Sequence, residues 1–116
     1  MGDGLAAAPQ DRRNGQRALL AQMAVAEATG IELRALCGGE RGDARTAFAR
    51  QIAMYLCLLA FAMNCCEIAR AFGRDRTTVR HAVRRVEAAR EHPGLDRALN
   101  GLETMLRRAG GAYARV

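Results

Sequence analysis

From Gln16 onward, apolar side chains return at helical spacing. Leu19, Leu20, Met23 and Ala24 fall on one stripe beside Glu27, and Thr29-Gly30 closes a first predicted helix. A short second helix is expected over residues 31–36. Cys37-Gly38-Gly39-Glu40-Arg41-Gly42-Asp43 then reads as a loop, because its three glycines hold a helix only at high entropic cost. A third helix covers about residues 46–63. Beyond Gln51 it is apolar nearly all round, the mark of a buried central helix. Asn64 breaks it, residues 65–72 form a short fourth helix, and Gly73 suits a tight turn between helices. The fifth helix starts behind Asp75 as N-cap and runs to about residue 91. Val79, Ala82, Val83, Val86 and Ala89 make one apolar stripe, with Arg76, Thr77, Arg80, His81, Arg84 and Arg85 opposite. His92-Pro93-Gly94 ends this helix, His92 lying by its terminal carbonyls. Leu95, Leu99, Leu102 and Leu106 define a sixth helix over about residues 95–108.

These elements predict an all-α chain of five to six helices. At 116 residues it holds one domain. Residues 1–14 read as a flexible arm, 15–92 as the domain, 93–109 as a helical extension and 110–116 as a frayed tail. The extension's Leu stripe leaves two options, a cap on the domain or the face of a homodimer. Composition agrees with helices: aromatics are 4% and Trp is absent, so the core must be Ala, Leu, Ile, Val and Met. Met23, Met54, Met63 and Met105 are expected as core fillers.

Charge sharpens the picture. The net charge is +6, and all eighteen cationic residues are arginine. Without lysine there is no Walker-type phosphate loop and no Schiff-base chemistry. Residues 70–90 carry seven arginines; less Asp75 and Glu87, that leaves +5 of the chain's +6. Such a patch is either a solvated helix face or a collector of polyanion charge. A short helix, a glycine turn and a second helix with arginines outward form a helix-turn-helix. Its second helix lies in the major groove, where Arg bridges guanine O6 and N7, Asp accepts from cytosine N4, and a Thr methyl meets thymine. Double-stranded DNA is the expected partner.

The stretches Arg50-Gln51-Ile52-Ala53-Met54-Tyr55-Leu56 and Gly73-Arg74-Asp75-Arg76-Thr77-Thr78-Val79-Arg80-His81-Ala82 closely resemble the C-terminal DNA-binding domain of the bacterial replication initiator DnaA family. The likeness covers about residues 17–92. It implies a Trp-repressor-like helix-turn-helix that binds DnaA boxes. By this resemblance Asp75, Arg76 and Thr77 read bases, and Thr78 and His81 meet phosphate or neighbouring bases. Arg50 and Gln51 contact the backbone. Arg41 or Arg45 enters the minor groove, since Gly42 holds the aligned position. Arg74, Arg80, Arg84 and Arg85 complete the expected interface. Arg76 stands where the family has His, which implies guanine in place of a thymine methyl. Cys65-Cys66 replaces a Leu-Pro pair, and Leu58 a lysine. The family's nucleotide-binding module is absent from these residues, so the expected role is occupation of initiator-like sites, in replication or transcription, without ATP hydrolysis.

Asp75 and His81 also have plainer readings, as a helix cap and as a surface histidine. The alternative function is a protein–protein adaptor that kept the fold and lost base reading. Four cysteines (Cys37, Cys57, Cys65, Cys66) lack Cys-x-x-Cys spacing and an evident nucleophile–base pair, so neither zinc nor thiol catalysis is expected. No cofactor is expected, and Cys57 belongs to the core. The longest apolar run, residues 52–63, is too short to span a bilayer, and Met1-Gly2-Asp3-Gly4 opens no secretory signal, so a cytoplasmic, nucleoid-associated place is expected.

Overall fold

Pro9 opens the first helix of the computed structural model, which describes residues 8–38 and 43–114, with side chains through Gly110. The order is α1 (Pro9–Thr29), α2 (Leu33–Cys37), α3 (Ala44–Phe61), α4 (Cys65–Phe72), α5 (Arg76–Ala89) and α6 (Pro93–Ala114). Among the described residues there is no strand. The central element is α3, packed against α1, α5 and α6, and its run Ile52–Cys57 is buried throughout.

The expected arm shortens. Residues 1–7 lie outside the described residues, but from Pro9 the chain is helical. Proline at the first helical position lacks only an amide that would have no helical partner, and Asp11 in the first turn faces the positive helix end. Asn14 and Gly15 are poor helix formers, and tertiary contact overrides them. Asn14 is 3% exposed, and its Oδ1 accepts from Gln10 Nε2 and Arg17 Nη1, each at 3.2 Å. Asp11 pairs with Arg70 of α4 at 3.2 Å.

The buried line of α1 also differs from the expected stripe. Ala18, Ala21, Ala24 and Val25 face the core, while Leu19 and Met23 are 44% and 49% exposed. Alanines let the α1 backbone come close to its neighbours, so the larger side chains turn outward. Met23 and Met105 are therefore not core fillers; Met54 and Met63 are. Gly30, at φ 76°, ends α1 with its amide on the Ala26 carbonyl.

At the other end, Leu99 and Leu106 are sealed and Leu95 and Leu102 pack against the same core. The Leu stripe packs on its own domain, the first of the two options that the repeat allowed. The His92 amide donates to Ala89 O at 3.1 Å at the end of α5, while its Nδ1 accepts from the Leu95 amide at 3.3 Å and its carbonyl from Asp96 N at 3.0 Å, so it joins the end of α5, as expected, to the start of α6. Beyond Gly110, where the tail was expected to begin, α6 runs on to Ala114. A Cβ on Gly110 would stand 2.6 Å from Phe61 Cε1, so the missing side chain lets α6 close over that ring.

A polar bridge ties α3 to α5 and α6. The Tyr55 hydroxyl donates to Glu87 Oε2 at 2.9 Å and accepts from Arg90 Nη1 at 3.1 Å. Arg90 also donates to Asp96 at 2.6 Å and Asn100 at 2.5 Å. Burial raises the Tyr55 phenol above its ordinary range, and the bonds to Tyr55 and Asp96 raise Arg90.

Candidate nucleic-acid interface

The turn between α4 and α5 is specified residue by residue. Asn64, expected only as a breaker, is the α4 N-cap: its Oδ1 accepts from Glu67 N at 2.8 Å while Glu67 Oε1 accepts from Asn64 N at 3.0 Å. Gly73 takes φ 66°, a left-handed value that opposes any Cβ, and Arg74 N reaches Ala69 O at 2.9 Å. Asp75 then starts α5, its Oδ1 accepting from Thr78 N at 2.8 Å. That bond holds the Asp75 carboxyl below the usual range, so it is an anion at neutral pH. Capping occupies part of a carboxylate that has about four acceptor positions, so the cap and an accepted cytosine amine are compatible.

Val79, Ala82 and Val86 are fully buried against α3 and α4, as the stripe requires. The opposite face is open: Arg76, Thr77, Thr78, Arg80, His81, Arg84 and Arg85 are all exposed. No described carboxylate pairs with Arg76, Arg80, Arg84 or Arg85. Arg76 Nη1 lies 3.6 Å from Cys66 Sγ, which places that thiol beside the first residue of α5. Arg85 stacks over Phe48 of α3, Cζ 5.2 Å from the ring centroid. Because α6 packs on α3 and α1, it leaves this face uncovered.

Other arginines are spent on the fold. Arg50, expected on the DNA backbone, is 9% exposed and turned inward. Its Nε donates to Leu36 O at 3.0 Å and its Nη2 to Ala35 O at 2.9 Å, satisfying carbonyls at the end of α2. Burial and nearby Arg74 lower its pKa from the ordinary arginine value. Arg45 donates Nη2 to Thr29 O at the end of α1. It stays exposed, but it is anchored, not projecting. Arg41 lies outside the described residues. Arg74 is half-buried and reaches Gly38 O at 3.4 Å. Gln51 is half-buried, its Oε1 sealed without a donor. The patch counted from sequence thus narrows, since Arg70 and Arg90 hold Asp11 and Asp96. Sequence reading missed Phe48 and Tyr55; two aromatics seven residues apart, about two turns on one side of α3, were the available signal.

All four cysteines are free. Burial pushes the Cys57 thiol up to about 12, so it stays protonated as packing material. Among the described residues no helix is long and apolar enough to cross a membrane.

Comparison with known proteins converges on one family. The bacterial dnaA protein helix-turn-helix family matches residues 20–86. The chain is 42% identical over 92 residues to the chromosomal replication initiator protein DnaA of Caulobacter vibrioides (strain NA1000 / CB15N), covering 78% of this chain and 18% of that protein. It is 53% identical over 49 residues to the DnaA of Aquifex aeolicus (strain VF5), covering 41% of this chain and 12% of the relative. Among solved structures, a DNA replication initiation factor superposes with TM-score 0.74 at 32% identity, over 86% of this chain and 31% of that one. A replication initiator DnaA bound to AMPPCP and single-stranded DNA gives 0.73 at 31% identity, over 87% and 31%. The chain thus spans under a third of the length of each of these proteins.

Proposed function

The chain belongs to the bacterial DnaA helix-turn-helix family, a family of DNA-binding domains, and from that premise we propose that it reads duplex DNA of DnaA-box type with α5 in the major groove. The observation that carries this reading is the open face of α5, whose four outward arginines lack any described acidic partner. Arg76, at the groove-entering end, is the base reader, and guanidinium geometry matches guanine O6 and N7. Asp75 and Thr77 flank it as further readers. Thr78, Arg80, His81 and Arg84 meet phosphate and fix register. Gln51 contributes its amide nitrogen to the backbone, an orientation consistent with its inward oxygen. Arg45 and Arg41 remain the minor-groove candidates, Arg45 only by releasing Thr29.

The domain by itself supplies site occupancy. It modulates replication initiation, or transcription of nearby promoters, by holding initiator-like sites on the nucleoid in the cytoplasm. Occupancy requires no catalytic group, and none is assigned.

Fluorescence anisotropy against box-containing and scrambled duplexes over a range of salt tests the reading. Tighter binding to the box, with an affinity that falls as salt rises, is expected. Equal affinity for both duplexes removes base reading, and no binding near physiological salt favours the adaptor function. Arg76→Ala should reduce discrimination at one base position by about 1–3 kcal/mol. An unchanged preference would move the reader elsewhere.

A further inference from the structure

We infer that Phe48 is a positioning residue for Arg85, holding its guanidinium as a pre-oriented clamp for a DNA phosphate at the rim of the groove; this rests on the duplex-reading proposal above. Among the described residues, three arginines lie over aromatic rings. Two of them are also fixed by hydrogen bonds, Arg17 to Asn14 and Arg90 to Tyr55, Asp96 and Asn100. Arg85 differs. Its one described anchor is the Phe48 ring, and none of its N–H groups bonds another described residue. A cation held by a ring face consumes no donor, so all five N–H groups stay available to a phosphate.

Position along α5 selects phosphate over base. Arg85 lies nine residues beyond Arg76, about 14 Å at 1.5 Å per residue. Nine residues are also about two and a half turns, so Arg85 leaves α5 on the flank opposite Arg76 and, with Arg76 against the bases, faces the flanking backbone. Phe48 is half-buried and packed against the core, so the ring is a fixed platform. It restricts the rotamers of a long side chain before DNA arrives, and that ordering no longer has to accompany binding.

The test uses the full chain with box and scrambled duplexes, comparing wild type, Phe48→Leu, Phe48→Tyr, Arg85→Ala and the Phe48→Leu/Arg85→Ala pair. Arg85→Ala should weaken both duplexes and lower the magnitude of the salt slope by about 0.9, one phosphate contact. Phe48→Leu should weaken both by about two- to fivefold, the scale of an exposed cation–aromatic contact, and Phe48→Tyr should restore wild-type binding. In the Arg85→Ala background, Phe48→Leu should have no further effect. A Phe48→Leu loss that persists there, or wild-type binding by Phe48→Leu, overturns the inference. Loss of all DNA binding by wild type instead overturns the reading beneath it. Should Phe48→Leu unfold, the heteronuclear NOE of the Arg85 Nε–H in the free wild-type protein decides: a value above that of Arg84 supports the clamp, and an equal value refutes it.

Discussion

Arg50 and Arg85 carry the same charge and do unlike work. Arg50 donates to the carbonyls of Leu36 and Ala35 from a nearly sealed position, whereas Arg85 lies on an open face. Arg50→Met should therefore lower unfolding free energy by roughly 2–3 kcal/mol, because two carbonyls lose charged donors, and leave the salt slope of DNA binding at its wild-type value. A stable variant with a flattened slope would return Arg50 to the DNA backbone. The capping carboxylates make a second prediction. Asp43 and Asp75 each accept an amide, from Thr46 and Thr78, and those bonds lower both carboxyls below the ordinary range. A depressed folded pKa means that their stabilisation is complete above the unfolded value of about 3.9 and fades as pH falls through the folded values. The melting temperature should thus fall below about pH 4, and an Asp43→Asn/Asp75→Asn variant should show a shallower fall. Identical profiles would mean that neither cap senses pH.

Among the elements, α3 and α4 meet at a corner with one strained residue. Ala62 adopts φ 55°, the only positive φ among the described non-glycine residues, and the next amide, Met63 N, reaches back to Cys57 O at 3.3 Å. Left-handed backbone costs an L-residue about 1–2 kcal/mol, and glycine's extra unfolded freedom opposes its removal by about 0.5–1 kcal/mol. Ala62→Gly should therefore raise stability by about 0.5–1 kcal/mol in urea unfolding. A loss of stability would mean that the corner is not strained. The α4–α5 turn was fully legible, because caps and glycines act through neighbours a few residues away. Asp75 and Gly73 announce their geometry in the sequence. The start of α1 was not legible, since Asn14 and Gly15 argue against a helix unless Arg17 and Arg70 are known to be near.

Across the whole molecule, α6 closes the core by packing on α3 and α1. Leu106 is 2% exposed, and Leu106→Ala should cost about 2–5 kcal/mol in chemical unfolding while the folded fraction keeps its DNA affinity. A surviving stability with changed association state would instead support the dimer face. The Tyr55 bridge reaches from α3 to α5 and α6 and explains why Arg90, counted with the basic patch, is not part of it. Net charge over a stretch of sequence records how many guanidinium groups exist there. It does not record which of them an acid or a helix end has already taken.

Helix number, the apolar stripe of α5, its capped start and the outward arginines follow from short-range periodicity and capping chemistry, which need no distant partner. The phase of α1, the inward turn of Arg50, the stack of Arg85 on Phe48 and the closure of α6 over Gly110 were settled only when remote segments met. Each depends on a contact between residues far apart in the chain, and side-chain burial, carbonyl satisfaction and ring stacking are properties of that meeting rather than of any local pattern.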